Sequence, residues 1–446
     1  MVIPHYAACL IKKLNDAGYH TAAVGGCVRD SLLGRVPHDW DLTTAAPWQD
    51  VKALLSPEYA VIATGTQHGT VTVLSEGHPV EITTFRIDGV YSDGRRPDSV
   101  RFTSNLCDDL ARRDFTVNAM AFDGGTLFDP FGGQDDLSSK IIRCVGDPEQ
   151  RLREDALRIL RALRFASVLG FSIEEATARA IHKTACLLSS ISAERIFSEL
   201  TKLLCGEFVR DILLSFSDVF FRILPELKPL YELPQHNPHH CYDVWTHTVY
   251  TVAYAPPLVR LRLAALFHDT GKTGCRTTDS DGIDHFFGHA KISETYARTA
   301  LNRLKSDRKT FGAVCALVKW HDIPVTADDR LILRRLRQFG SDFFFDLLAL
   351  KEADCLAQSP HPERLALLQN IREKTSRLLS AGACFSFKKL AVSGRDLIAA
   401  GIPEGKAVGD LLKKLLDAVT DGSLPNDKAA LLAALPMLLD KPAPRI

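Results

Sequence analysis

The stretch that most limits what this chain can fold into is residues 25–44, GGCVRDSLLGRVPHDWDLTT. Two glycines follow the strand-like run TAAV at 21–24, and the sequence from Val28 to Leu33 then opens like a helix. A strand, a glycine turn and a helix start leave backbone N–H groups free to cradle a phosphate. The stretch ends in Asp39-Trp40-Asp41-Leu42, which reads as a second strand. Side chains at i and i+2 of a strand share a face, so Asp39 and Asp41 can address one metal centre. Alone, Gly-Gly is a turn and Asp-x-Asp a solvated strand end. In this order within one short unit, they indicate nucleotidyl or phosphoryl transfer with divalent cations.

The flanking residues read as the rest of a mixed domain. Residues 5–18 form an amphipathic helix pattern ending at Gly18, and residues 47–55 a second helix. TVTVL at 70–74 and VEITTF at 80–85, separated by Glu-Gly, read as a hairpin. Glu81 sits between Val80 and Ile82, an awkward place for a charge unless it points at something useful. It is the candidate third acid beside Asp39 and Asp41; the alternative is an edge-strand glutamate facing water. Residues 88–101, DGVYSDGRRPDSVR, read as a mobile loop. RRDFTVNA at 112–119 is either a surface ion-pair cluster or a nucleotide contact. In the second case Arg113 offers a planar fork for phosphate or a base edge, and Asp114 and Asn118 can bond ribose hydroxyls. LFDPFGGQDDL at 127–137 looks like a hinge.

Residues 151–170, RLREDALRILRALRFASVLG, have helical periodicity, with Leu152, Ala156, Ile159, Leu160 and Leu163 as the buried stripe. Asp155 and Arg158 are three apart and so share a face, which Arg161 and Arg164 continue. The ordinary meaning of such spacing is a solvated face laced with an acid–base pair. The other meaning rests on hydrogen-bond inventory. Cytosine and adenine each present an amino donor beside a ring-nitrogen acceptor, whereas guanine and uracil present a carbonyl beside a ring N–H. A carboxylate beside a guanidinium therefore matches C and A and mismatches G and U, at about 1–3 kcal/mol per buried mismatch. Glu154 is the neighbouring acid held in reserve. Residues 174–205 continue as helices, with Ser192 as a helix N-cap and Glu199 further along.

In the second half, His247, the pair His268-Asp269 and the distant Asp354 follow the order H…HD…D. His289 and His321-Asp322 are further candidates, and Lys272 follows in HDTGK. Imidazoles and carboxylates converging from different helices suit Mg, Mn, Fe, Ni or Co and could activate water on a phosphate ester. The apolar run at 261–267 places His268 and Asp269 at the end of a buried helix. Residues 361–382 read as helical, and 387–419 as two helices broken at Gly401 and Pro403. Lysines and arginines there could rest on an RNA backbone or simply solvate packed helices.

With 446 residues, the chain has length for two to four domains. Lysine plus arginine equals aspartate plus glutamate at 54 each, so any nucleic-acid contact must come from local basic surfaces. The 11 cysteines include no C-x-x-C pair, the N-terminal residues lack a signal-like apolar core, and no apolar run is long enough to span a bilayer. The expectation is a soluble cytoplasmic protein with free thiols and no membrane partner.

Gly25, Gly26, Arg29, Asp30, Gly34, Asp39 and Asp41 together resemble the opening motif of the bacterial class II tRNA nucleotidyltransferase and poly(A) polymerase family, part of the polymerase-beta-like superfamily. RRDFTVNA resembles its second motif, and the string from Glu154 to Phe165 its base-recognition motif. The H…HD…D order resembles the HD phosphohydrolase superfamily. The resemblance implies an α+β chain. A polymerase-beta-like nucleotidyltransferase head (1–140, mixed sheet with helices) would precede an all-α neck (141–235), an HD-like domain (236–360) and a tRNA-binding tail (361–446). It further implies Mg2+ on Asp39 and Asp41, triphosphate binding by Gly25, Gly26 and Arg29, and nucleotide contacts from Arg113, Asp114, Asn118, Arg161 and Arg164. Asp155 and Arg158 would read the base, and a transition metal would sit on His247, His268, Asp269 and Asp354. Its substrates would be tRNA, CTP and ATP. The loop at 88–101 implies full CCA addition, since such a loop accompanies the switch from C to A. A poly(A) polymerase shares these motifs; a metal-dependent HD phosphohydrolase is the alternative from another class. The intact acid pair argues against a non-catalytic RNA-binding protein.

Overall fold

The structure is a computed structural model of the chain and describes residues 1–89, 99–236, 241–358 and 360–439. Most of the expected loop at 88–101 lies outside the described residues. The chain forms two compact units, Met1–Lys228 with Arg303–Ser306, and Pro229–Asn302 with Asp307–Ile446.

The first unit opens with α1 (His5–Asp16), which buries Ala7, Leu10, Ile11 and Leu14 at helical spacing. Gly18, at φ +88°, turns the chain out of it. Then come β1 (Thr21–Val24), α2 (Gly26–Leu32), β2 (Asp41–Thr44), α3 (Trp48–Leu55), β3 (Ala60–Gly65), β4 (Thr70–Ser75) and β5 (His78–Thr84). Glu76 and Gly77 both have positive φ, which closes the β4–β5 hairpin with the twist its strands require. β6 (Arg86–Asp88) pairs antiparallel with β7 (Val100–Phe102), followed by α4 (Leu106–Ala111), β8 (Ala121–Phe122), β9 (Leu127–Phe128) and α5 (Gly133–Ser138). Among the described residues the main sheet has the order β3-β4-β5-β2-β1-β8-β9. β2 and β5 are parallel and their neighbours antiparallel, so the sheet is mixed, as expected. Ala22, Val24, Phe85, Leu110 and Ala121 lie in the core on one side of it. The supposed hinge is tightly packed: a Cβ on Gly133 would stand 2.4 Å from the Thr116 carbonyl oxygen.

Beyond the head come β10 (Ile141–Ile142), α6 (Pro148–Glu154), α7 (Leu157–Leu169), β11 (Ser172–Ile173), α8 (Glu175–Thr184), α9 (Ala193–Leu204), α10 (Val209–Ser215) and α11 (Ser217–Ile223). The neck is thus helical apart from the small parallel pair β10–β11. The expected buried stripe, Leu152 to Leu163, is buried in full. The single helix expected over 151–170 is two, because Asp155 takes an extended conformation (φ −140°, ψ 103°) between α6 and α7. Its Oδ1 then accepts from the Leu157 N–H at 3.0 Å, an alternative to helix continuation that Asp readily offers. Ser192 does precede α9, but its side chain makes no capping bond.

The second unit contains α12 (Val244–Tyr254), α13 (Val259–Phe267), the two-residue strands β12 (Thr277–Thr278) and β13 (Asp284–His285), α14 (His289–Arg303), α15 (Arg308–Trp320), α16 (Asp329–Phe339), α17 (Ser341–Leu356) and α18 (Pro362–Ser380). Every residue of α13 from Leu261 to Phe267 is buried. The tail holds α19 (Gly394–Ala399), α20 (Lys406–Thr420), α21 (Lys428–Ala433) and α22 (Leu435–Leu439) around their own core of Leu397, Leu411, Leu415 and Leu431. Ser393 and Asp396 form a reciprocal capping box that starts α19.

Candidate active site and metal centre

Asp41 begins β2 directly in register with Glu81 on the parallel strand β5. Registered residues of a parallel pair point to the same face, so both carboxylates stand on one open face of the sheet. Asp39 is exposed in the loop before β2 rather than within the strand as expected. Although Asp41 is exposed at the surface, desolvation by the protein atoms packed around it, followed by the like charges of Glu81 and Asp39, pushes its carboxyl up to about 6 against the opposing pull of Arg113. A proton held that tightly marks a place where a divalent cation would relieve repulsion, and three carboxylates are the hard oxygen donors Mg2+ prefers.

Beside this face lies a hydrogen-bonded chain that ties together the three sequence motifs. Arg29, buried on α2, donates through Nη1 to Asn118 Oδ1 at 2.7 Å. Asn118 Nδ2 donates to Asp114 Oδ1 at 3.0 Å, and Asp114 Oδ2 receives Arg161 Nε from α7 at 2.8 Å. Burial alone would raise the Asp114 carboxyl, but the Arg161 guanidinium and the Asn118 bond outweigh it and hold the group far below its usual range. Phe165 packs against the same arginines, with the guanidinium carbons of Arg164, Arg29 and Arg161 at 4.1, 4.8 and 5.5 Å from its ring centroid. Arg164 also pairs with Glu199 at 2.7 Å. Gly25 has φ +80°, and a Cβ there would come within 3.1 Å of Arg113 Nη1, so a glycine lets this arginine lie against the turn. The Gly25 N–H is taken by the Met120 carbonyl, and the helix that Gly26 opens is only seven residues long. The turn therefore offers fewer free N–H groups than the sequence suggested, and the cations beside it are Arg29 and Arg113.

Asp155 and Arg158 do not pair with one another. Arg158 Nη1 donates to Glu154 Oε2 at 2.6 Å and to the Arg151 carbonyl, and Nη2 to the Arg112 carbonyl. Asp155 Oδ2 instead receives Arg195 Nη2 at 2.8 Å. The break between α6 and α7 is the cause: it turns Asp155 away from the face where helical spacing would put it and leaves Glu154 four residues before Arg158. Nor is this a solvated face, since Arg158 is 9% exposed.

Sequence reasoning missed Asp109. Fully buried on α4, it accepts from Arg112 Nε at 2.9 Å, Arg113 Nη2 at 3.3 Å and Thr43 Oγ1 at 3.0 Å. It thereby anchors the arginine pair under the acid-bearing strands. Its spacing of three and four residues before the two arginines was the available signal.

In the second unit the expected ligands converge. His247 on α12, His268 after α13 and Asp354 on α17 place ligand atoms within 4.8 Å of one another, and so do Asp269, His289 and His321. All but Asp354 are buried. Lys272 Nζ lies 2.7 Å from Asp269 Oδ2. His289 and His321, secondary candidates in the sequence, stand in the cluster on equal terms with the others.

Residues 21–143 match the family model of the Poly A polymerase head domain, 170–230 that of the RNA and SrmB-binding site of polymerase A, and 277–435 that of tRNA nucleotidyltransferase domain 2. The chain is 35% identical over 430 residues to the CCA-adding enzyme of Geobacillus kaustophilus, covering 96% of this chain and 95% of the relative. It is 36% identical over 434 residues to that of Levilactobacillus brevis, covering 96% of each. Among solved structures, the crystal structure of the Bacillus stearothermophilus CCA-adding enzyme in complex with CTP aligns over 98% of both chains, with a TM-score of 0.75 and 31% identity. The Thermotoga maritima CCA-adding enzyme complexed with tRNA_CCA shares the fold at a TM-score of 0.61 and 21% identity, over 97% of this chain and 94% of that one. Near-complete alignment to these relatives, together with the acid face and the three linked motifs, establishes that the chain belongs to the family of CCA-adding nucleotidyltransferases.

Proposed function

We propose that this protein adds or repairs the 3′-terminal CCA of tRNA from CTP and ATP without a nucleic-acid template. The observation that carries this reading is geometric: Asp41 stands in register with Glu81 on parallel strands, Asp39 lies just before it, and Arg113 rests against the glycine turn. In the reaction the tRNA 3′-hydroxyl oxygen bonds to the α-phosphorus and the bond to pyrophosphate breaks. Asp39, Asp41 and Glu81 would hold Mg2+, which when bound supplies charge neutralisation on the phosphates and acidifies the attacking hydroxyl. Gly25 and Gly26 leave the turn open, and Arg113 meets the triphosphate, while Arg29, its fork held by Asp30 and Asn118, adds its charge and its remaining N–H groups. Asp114 and Asn118 orient Arg161 and Arg29 at the sugar and phosphate, and Phe165 keeps these arginines and Arg164 stacked in place. Asp155 reads the base amino group, since each of its oxygens keeps a lone pair beyond the bonds it already makes. Arg158, held by Glu154, donates to the ring nitrogen.

We read the chain as four functional segments, with the head at 1–140, the neck at 141–235, an HD-like module at 236–360 and a tRNA-binding tail at 361–446, and we place the protein in the cytoplasm. Among the described residues no helix is long and apolar enough to cross a membrane. In the HD-like module, His247, His268, Asp269 and Asp354 would hold a transition-metal ion, a reading supported by the convergence of His247, His268 and Asp354 and by Asp269 Oδ2 lying 3.4 and 3.3 Å from the two imidazoles.

The test is incubation of the purified protein with tRNA lacking its CCA end and labelled CTP and ATP. Extension by C, C and A, then arrest, is expected. A long A tract would point to a poly(A) polymerase and overturn the assignment.

A further inference from the structure

Helix α9 is seated on α7 at close quarters. A Cβ on Gly206, just past the end of α9, would stand 2.1 Å from Ser167 Oγ and 2.6 Å from the Ser167 carbonyl oxygen. Ser167 Oγ donates to the Leu203 carbonyl at 2.8 Å. Ile196, Leu200, Leu203 and Leu204 are buried along one stripe of the helix. A helix fixed in this way carries its outward charges to fixed places. Arg195 and Glu199 lie one turn apart on it, and each takes a charged partner from the segment that reads the nucleotide. Arg195 Nη2 donates to Asp155 Oδ2 at 2.8 Å, and Glu199 pairs with Arg164 at 2.7 Å.

The Asp155 carboxylate therefore has two tethers of different origin. The Leu157 N–H holds Oδ1 at 3.0 Å from the adjoining backbone, and Arg195 holds Oδ2 from 40 residues away. The first alone would leave the carboxylate free to turn about its terminal torsion, which is soft in aspartate. The second removes that freedom. It engages one lone pair of Oδ2 and so fixes the direction of the other. Arg158, three residues on, is meanwhile held by Glu154. The acceptor and the donor needed for a base edge are thus each held by a separate partner, and neither is spent on the other.

We propose that Arg195 is a positioning residue for base selection. It acts through Asp155, aiming the carboxylate at the exocyclic amino group of C and A so that the carbonyl of U and G meets an acceptor. This rests on the reading of Asp155 as the base reader and adds to it the residue that aims it.

The test uses the full-length protein, tRNA lacking its CCA end and each of the four nucleoside triphosphates alone. The kcat and KM are measured for Arg195→Ala, Arg195→Lys, Asp155→Ala and the double variant of Arg195→Ala with Asp155→Ala, with thermal melts showing that each folds. In Arg195→Ala the preference for CTP over UTP in kcat/KM is expected to narrow by about tenfold, chiefly through KM for CTP. Arg195→Lys still brings a donor to Oδ2 and should recover much of the preference. The double variant should match Asp155→Ala alone, because a residue that acts through another adds nothing once that other is gone. Should Arg195→Ala not fold, Arg195→Gln takes its place in the cycle. An equal loss with all four nucleotides, or effects that simply add, would overturn the proposal and mark Arg195 as a structural tie. Wild-type selectivity in Arg195→Ala beside blurred selectivity in Asp155→Ala would overturn it while leaving Asp155 as the reader. Wild-type selectivity in Asp155→Ala would overturn both.

Discussion

Asp41 holds its proton to about pH 6 because desolvation and the negative charges of Glu81 and Asp39 disfavour the carboxylate. The folded value is above the unfolded one, so in the metal-free protein the native state binds the extra proton between roughly pH 4 and 6 and loses stability as pH rises through that window. Asp41→Asn is therefore expected to raise the melting temperature of the metal-free protein at pH 7, to abolish the stabilisation Mg2+ gives the wild type, and to reduce nucleotide incorporation to background. Wild-type incorporation in this variant would remove the acid face from the mechanism. Asp109 behaves oppositely. Burial pushes its carboxyl up, but Arg112 and Arg113 overcome this and lower it. Its contribution is present above the unfolded carboxylate range and is lost as pH falls through the lower folded value. Removing it takes a buried carboxylate from two arginines, although Arg112 keeps Asp88 at 3.7 Å, so Asp109→Ala should cost about 3–5 kcal/mol in urea unfolding at pH 7, with a smaller deficit in acid.

Elements decide what those residues can do. The break between α6 and α7 separates Asp155 from Arg158 and hands the latter to Glu154. If this pair of segments selects the base, Asp155→Ala should blur the preference for C and A over G and U in a four-nucleotide incorporation assay, with little change in fold. Undiminished selectivity would end that idea. On α7, Phe165 is the surface on which Arg29, Arg161 and Arg164 rest. Phe165→Ala should destabilise by about 3–5 kcal/mol and raise KM for both nucleotides, because the arginines lose the ring that holds them. Phe165→Tyr should restore much of the KM.

At the scale of the molecule, the acid face and the histidine cluster belong to different units, each with its own core. Their chemistry should separate accordingly. His268→Ala is expected to leave CCA addition within about twofold of wild type, as for a site outside the transfer machinery, while eliminating metal binding by the second unit. Loss of nucleotide incorporation in a folded His268→Ala protein would show that the units act together.

The mixed head and helical remainder, the hairpin at Glu76-Gly77 and the stripe from Leu152 to Leu163 were legible from the chain because each is short-range, whereas the strand spacing that paired Asp39 with Asp41 failed, Asp39 lying in the loop before β2. Periodicity, turn chemistry and motif spacing act over a few residues and hardly depend on distant partners. Tertiary packing alone decided the rest. It set Asp41 in register with Glu81, made Asp109 the buried anchor of two arginines, and linked Arg29, Asn118, Asp114 and Arg161 across well over a hundred residues of sequence. The pairing of Asp155 with Arg195 and of Arg158 with Glu154 depended on one backbone break that helical periodicity cannot register. The histidines show the limit most plainly: their order along the chain marked them only as candidate ligands, and only the folding of separate helices could turn four ring nitrogens toward the two oxygens of one aspartate.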